Sequence, residues 1–183
     1  MFTVFLELGF DHILDGYDHL LFLAGLIVVA TDWRSLLAVI SAFTVTHSTT
    51  LILSALDILA LDPVFTETLI AASIAYVGIE NLVREQQTRR WIVAGAFGLI
   101  HGAGFSEHLT ELLRSMMDMG NIWGPLIGFN LGIELGQIVV IAISVPITWG
   151  LKRIGKWDLL VPEFSRVLAA VGVFLVIQRV WEL

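Results

Sequence analysis

Five histidines and several acids stand in a chain that is otherwise strongly apolar. The densest group is His12-Ile13-Leu14-Asp15-Gly16-Tyr17-Asp18-His19. Helical positions i and i+7 share a face, so His12 and His19 point the same way, with Asp15 between them. Asp18 can either ligate a cation or orient an imidazole by accepting its second N–H. His47 follows in Phe43-Thr44-Val45-Thr46-His47-Ser48, where Thr44 and Ser48 flank the ring and are candidates to bond it or a hydrated cation. His101 sits in Phe97-Gly98-Leu99-Ile100-His101-Gly102-Ala103-Gly104-Phe105, and His108 lies beyond it. Asn130, Glu134 and Gln137 form a polar stripe on one helix face, with Glu134 a ligand, a proton carrier or part of a helix crosslink. Neutral imidazole nitrogen with carboxylate oxygen suits Zn, Ni, Co or Fe(II), whereas potassium or sodium would need carbonyls and hydroxyls. The candidate metal set is therefore His12, Asp18, His19, His47, His101 and Glu134. For any one of these histidines the alternative is a satisfied buried ring that bonds a neighbouring helix.

The elements that must position these groups are transmembrane helices. The chain has 183 residues, of which 57% are hydrophobic and 15% charged, with a mean hydropathy of +0.86. That balance belongs to a membrane protein. Apolar runs at about 12–31, 34–56, 64–84, 91–113, 121–149 and 165–181 predict an all-α bundle of about six spans, in one transmembrane domain covering 1–183. Turns are expected at Thr31-Asp32, 56–63, the charged stretch Arg84 to Arg90, 117–120 and Lys152 to Pro162. The stretch 100–120 is a candidate broken helix. All six tryptophans (33, 91, 123, 149, 157 and 181) lie near span ends, the level that amphipathic indoles prefer. Met1 to Phe10 lacks the basic start of a secretory signal, so mature chain is expected there.

Charge predicts the orientation. If spans alternate, Arg34, Arg84, Arg89, Arg90, Lys152, Arg153, Lys156 and Arg166 collect on one side, leaving Arg114 and Arg179 on the other. The positive-inside rule then puts both termini outside the cytoplasm of a cell inner membrane. The outer face holds Glu7, Asp11, Asp15, Asp57, Asp62, Glu67, Glu107, Glu111 and Asp118, a field that draws cations unless it is ordinary surface charge. At ~1.5 Å per residue, His47 lies ~20 Å from the inner end of its span and His101 ~15 Å in, so the candidate ligands converge on the middle and outer half. Glu80, near the inner end of its span, stands apart. Glycines 124, 128, 132 and 136 repeat every fourth residue and predict close approach of another helix. With no cysteine there is no thiolate site, and a net charge of −7 disfavours nucleic acid as a partner.

Five motifs, in order and covering nearly the whole chain, resemble the HupE/UreJ family of hydrogenase and urease accessory membrane proteins, in its shorter branch. They are Gly16-Tyr17-Asp18-His19-Leu20-Leu21-Phe22-Leu23, Phe43-Thr44-Val45-Thr46-His47-Ser48, Ser73-Ile74-Ala75-Tyr76-Val77-Gly78-Ile79-Glu80-Asn81, the His101 segment above, and Phe129-Asn130-Leu131-Gly132-Ile133-Glu134-Leu135-Gly136-Gln137. Some members carry proline straight after the first histidine, where this chain has Ile13. The resemblance implies a nickel or cobalt permease that feeds metalloenzyme maturation, with His12, Asp18 and His19 needed for transport. A divalent ion (Ni, Co or Zn), membrane lipids and a homo-oligomer are the partners considered. Two other functions fit the same residues: a membrane-embedded metal-dependent hydrolase acting on a lipid, and a metal-binding accessory scaffold.

Overall fold

The computed structural model describes residues 1–30, 32–56, 58–83, 89–104, 115 and 123–181. Among these residues there are seven α-helices and no strand. They are α1 (Phe2–Asp15), α2 (Tyr17–Ile27), α3 (Trp33–Ala55), α4 (Pro63–Val83), α5 (Arg90–Ala103), α6 (Trp123–Arg153) and α7 (Trp157–Trp181). Three are long and apolar enough to cross a membrane: Trp33–Ser54, Trp123–Arg153 and Trp157–Trp181. The outward faces of α6 and α7 carry Ile138, Ile143, Ile147, Val167, Phe174 and Ile177, all exposed. So continuous an apolar surface is stable in lipid and not in water. The chain is a membrane protein.

The helices associate in pairs, each through glycines that remove the Cβ at a backbone crossing. A Cβ on Gly132 of α6 would lie 2.1 Å from the Leu6 carbonyl of α1, and one on Gly128 would lie 2.5 Å from that of Phe2. The predicted glycine stripe therefore receives α1, running parallel to it. Gly98 and Gly102 of α5 meet α3 in the same way, at Phe43 and His47. Gly78 of α4 and Gly172 of α7 meet backbone at Ala169 and Ala75. The main core, Phe22, Leu26, Val39, Phe43, Ile74, Val77, Ala94 and Leu168, ties α2 to α3, α4, α5 and α7. A second core joins α1, α3 and α6 through Phe5, Ile13, Leu51, Phe129 and Ile133.

Three expectations change. The apolar run 12–31 is not one helix, because the chain is helical from Phe2 and breaks at Gly16. Gly16 has ψ 90°, and a Cβ there would meet His19 Nδ1 at 2.7 Å and the His12 carbonyl at 2.8 Å. The break lies between the two histidine turns, where glycine leaves room for the His19 ring. Lys152 to Pro162 is not a long turn, because α6 runs to Arg153 and α7 starts at Trp157, with Gly155 at φ +68° between them. Pro162 lies inside α7, tolerated as prolines often are in membrane helices. Arg90 is not a loop charge but the first residue of α5, and it is buried. Of the stretch 100–120 where a broken helix is expected, α5 runs to Ala103, and residues 105–114 and 116–120, His108 among them, lie outside the described residues.

Candidate metal centre

The Gly16 break, the crossing of α5 on α3 and the α1–α6 pair bring four histidines together. His12 comes from the end of α1, His19 from the first turns of α2, His47 from the middle of α3 and His101 from the end of α5. Ring centroids are 4.6 Å apart for His12–His19, 5.8 Å for His12–His47, 6.0 Å for His19–His47 and 5.0 Å for His19–His101. One nitrogen from each of His12, His19 and His47 lies within 4.8 Å of the other two. Nitrogens on one Zn-like ion, each at about 2.0–2.1 Å, stand about 3–4 Å apart. A closure of about an ångström therefore converts the group to a chelate, within reach of ordinary rotamer adjustment.

The walls are apolar and aromatic. Phe43 stacks on His47 at 5.6 Å and 30°, Phe22 lies 4.9 Å from His101, and Phe129 lies 5.9 Å from His12. His47 and His101 are 0% and 1% exposed, which excludes bulk water from competing for their nitrogens. Neutral imidazole is the form of histidine that ligates a metal.

The other sequence-derived candidates fall elsewhere. Asp18 is half-buried on the first turn of α2 and is not in the three-nitrogen group. Nearby, Arg179 of α7 pairs with Glu67 of α4 at 3.1 Å and donates to the Tyr17 hydroxyl at 3.3 Å. Glu134 is exposed on α6 beside Leu131, Leu135 and Ile138, while Ile133 and Gln137 turn inward, so Glu134 is not brought to the histidines. Thr44 donates to Gln137 Oε1 at 2.9 Å, and Ser48 bonds the Asn130 side chain. Both hydroxyls therefore fasten α3 to α6 and do not address the His47 ring.

Two buried groups escaped the sequence reading. Ser73 of α4 bonds His101 Nε2 at 3.0 Å. Arg90 donates to the carbonyls of Gly25 (3.1 Å) and Leu26 (2.9 Å), where α2 ends, and reaches Glu80 at 3.9 Å and the Asn81 side chain. A helix ending inside a bundle leaves carbonyls unsatisfied, and a guanidinium fork suits them. The signal for Arg90 was its place directly before Trp91 at a span start; for Ser73 it was a hydroxyl seven residues before Glu80 on a helix.

An all-helical membrane protein with a sequestered cluster of imidazoles is the class that fold and site define. The family model described as HupE / UreJ protein matches residues 1–182, and the chain belongs to that family. No curated protein and no solved structure matches it.

Proposed function

We propose that the protein is a divalent transition-metal permease of the cell inner membrane, of the nickel or cobalt kind, supplying metal for metalloenzyme maturation. The observation that supports this best is the convergence of His12, His19 and His47 from three separate helices on one buried point. The ligands are distributed over three helices, so a relative shift of those helices would take the site apart. A permease needs such a site, since a closed cage would trap its cargo. In this reading the metal is substrate. It sheds water at Asp18 in the first turn of α2, is held by His12, His19 and His47, and reaches His101 next.

On this reading the end of the cluster toward Glu80 and Arg90 faces inward, and its lining is apolar. Below His19, a cleft is walled by Phe22, Leu23, Leu26, Val39, Ile40 and Phe43, and the Arg90–Glu80–Asn81 network pins the end of α2. Release inward therefore requires α2 to shift from this network. The single transmembrane domain of six alternating spans, with both termini outside, supplies the direction. Cysteines placed at Gln86 and Asp118 are expected to label from opposite sides of the membrane. Labelling of both from one side would contradict the alternation.

Flux tests the proposal. Proteoliposomes with an internal metal-sensitive dye and an imposed Ni²⁺, Co²⁺ or Zn²⁺ gradient are expected to show protein-dependent uptake. Asp18→Asn and His19→Ala abolish it, and Glu80→Gln slows it while leaving metal binding intact, since Glu80 lies outside the cluster. Protein that holds metal stoichiometrically but passes none of the three ions overturns the permease. The histidine cluster then favours a hydrolase, in which a metal-bound water would be the reacting group.

A further inference from the structure

Ser73 is fully buried on α4. Its Oγ lies 2.6 Å from the Ile70 carbonyl oxygen and 3.0 Å from His101 Nε2. A carbonyl oxygen only accepts, so a contact that short requires the single hydroxyl proton to lie on it. Toward His101, Ser73 then has only lone pairs to offer, and the proton of that second bond must sit on Nε2. A neutral imidazole with a proton on Nε2 has its lone pair on Nδ1. His101 Nδ1 is buried with no hydrogen-bond partner among the described residues. Its ring packs against Phe22 and Phe43, which offer it neither donor nor acceptor, and is 5.0 Å from His19. A buried lone pair without a partner is costly unless a ligand claims it.

We infer that Ser73 is a positioning residue that fixes His101 in its Nε2–H tautomer, so that Nδ1 serves as a further metal-ligand atom beside the His12–His19–His47 group. This rests on the metal-binding reading above, and it adds which atom of His101 binds and what holds it. Without the Ser73 oxygen, the proton is free to occupy Nδ1 and blocks that position. The arrangement is the hydroxyl counterpart of the carbonyl or carboxylate that orients imidazoles around metals elsewhere.

The test uses the full chain in lipid nanodiscs with ¹⁵N-labelled histidine, His101 being assigned by comparison with His101→Gln. Metal-free wild type is expected to show His101 protonated on Nε2 and unprotonated on Nδ1. Addition of Zn²⁺ shifts the Nδ1 resonance and leaves Nε2–H in place. Ser73→Ala is expected to give a mixed or reversed tautomer and about 10–100-fold weaker Zn²⁺ binding, and Ser73→Thr, which keeps the hydroxyl, restores both. A His101 protonated on Nδ1 in the metal-free wild type overturns the inference without reference to any variant. If Zn²⁺ shifts His12, His19 and His47 but not His101, the inference falls and the metal-binding reading stands. If Zn²⁺ shifts none of the four, the metal-binding reading falls and takes this inference with it.

Discussion

Alanine at His47 is expected to weaken Ni²⁺ or Zn²⁺ binding by more than about 100-fold, beyond the 10–100-fold typical of losing an outer-shell partner. His47 is the one member of the three-nitrogen group carried by the long helix α3, and it is 0% exposed. No described acid stands ready to replace it, since Glu134 faces outward and Asp18 lies outside the group. Calorimetric titration of the variant in detergent measures the loss. The His108→Ala variant, titrated in parallel, shows whether any histidine substitution has the same effect. Unchanged affinity in His47→Ala would remove α3 from the site.

The largest structural effect is expected from Gly132→Ala. Its new methyl carbon would lie 2.1 Å from the Leu6 carbonyl and 2.8 Å from the Phe10 amide nitrogen, both backbone atoms that cannot swing aside. Helices α1 and α6 must then separate, at the upper end of the usual 1–3 kcal/mol cost of overpacking or beyond, roughly 3 kcal/mol. Because α1 carries His12, the separation also opens the metal site, so melting temperature and metal affinity fall together. Gly150→Ala on the same helix, where a Cβ would meet nothing within 4 Å, should be neutral or slightly stabilising. Equal melting temperatures for the two variants would contradict the glycine-mediated pairing.

The two predictions divide along what the sequence makes legible. Helix class, the glycine stripe of α6 and the histidines themselves follow from local pattern: apolar run length, a four-residue repeat, and ionisable groups where lipid penalises them. The geometry around them does not. Gly16 sits among Asp15, Tyr17, Asp18 and His19, a polar dip that reads as ligands within one span rather than as the break between α1 and α2. Glu134 shares a polar stripe with Asn130 and Gln137, yet a few tens of degrees of helix rotation place it outward and the other two against α3. Thr44 and Ser48 sit beside His47 in sequence, but their partners lie over eighty residues away on α6. Arg90 reads as one more inner-face charge until α2 is seen to end against it, because only tertiary docking creates the carbonyls it satisfies.

The central claim is that imidazoles from separate helices bind one divalent ion at their point of convergence. X-ray absorption at the zinc or nickel edge of the purified, metal-loaded protein tests it without any assumption about transport. For zinc the account predicts a first shell with at least three histidine nitrogens at about 2.0–2.1 Å, showing the outer-shell scattering of imidazole rings, and the loss of one ring in His47→Ala. A first shell of oxygen alone, or an unchanged imidazole count in that variant, would contradict it.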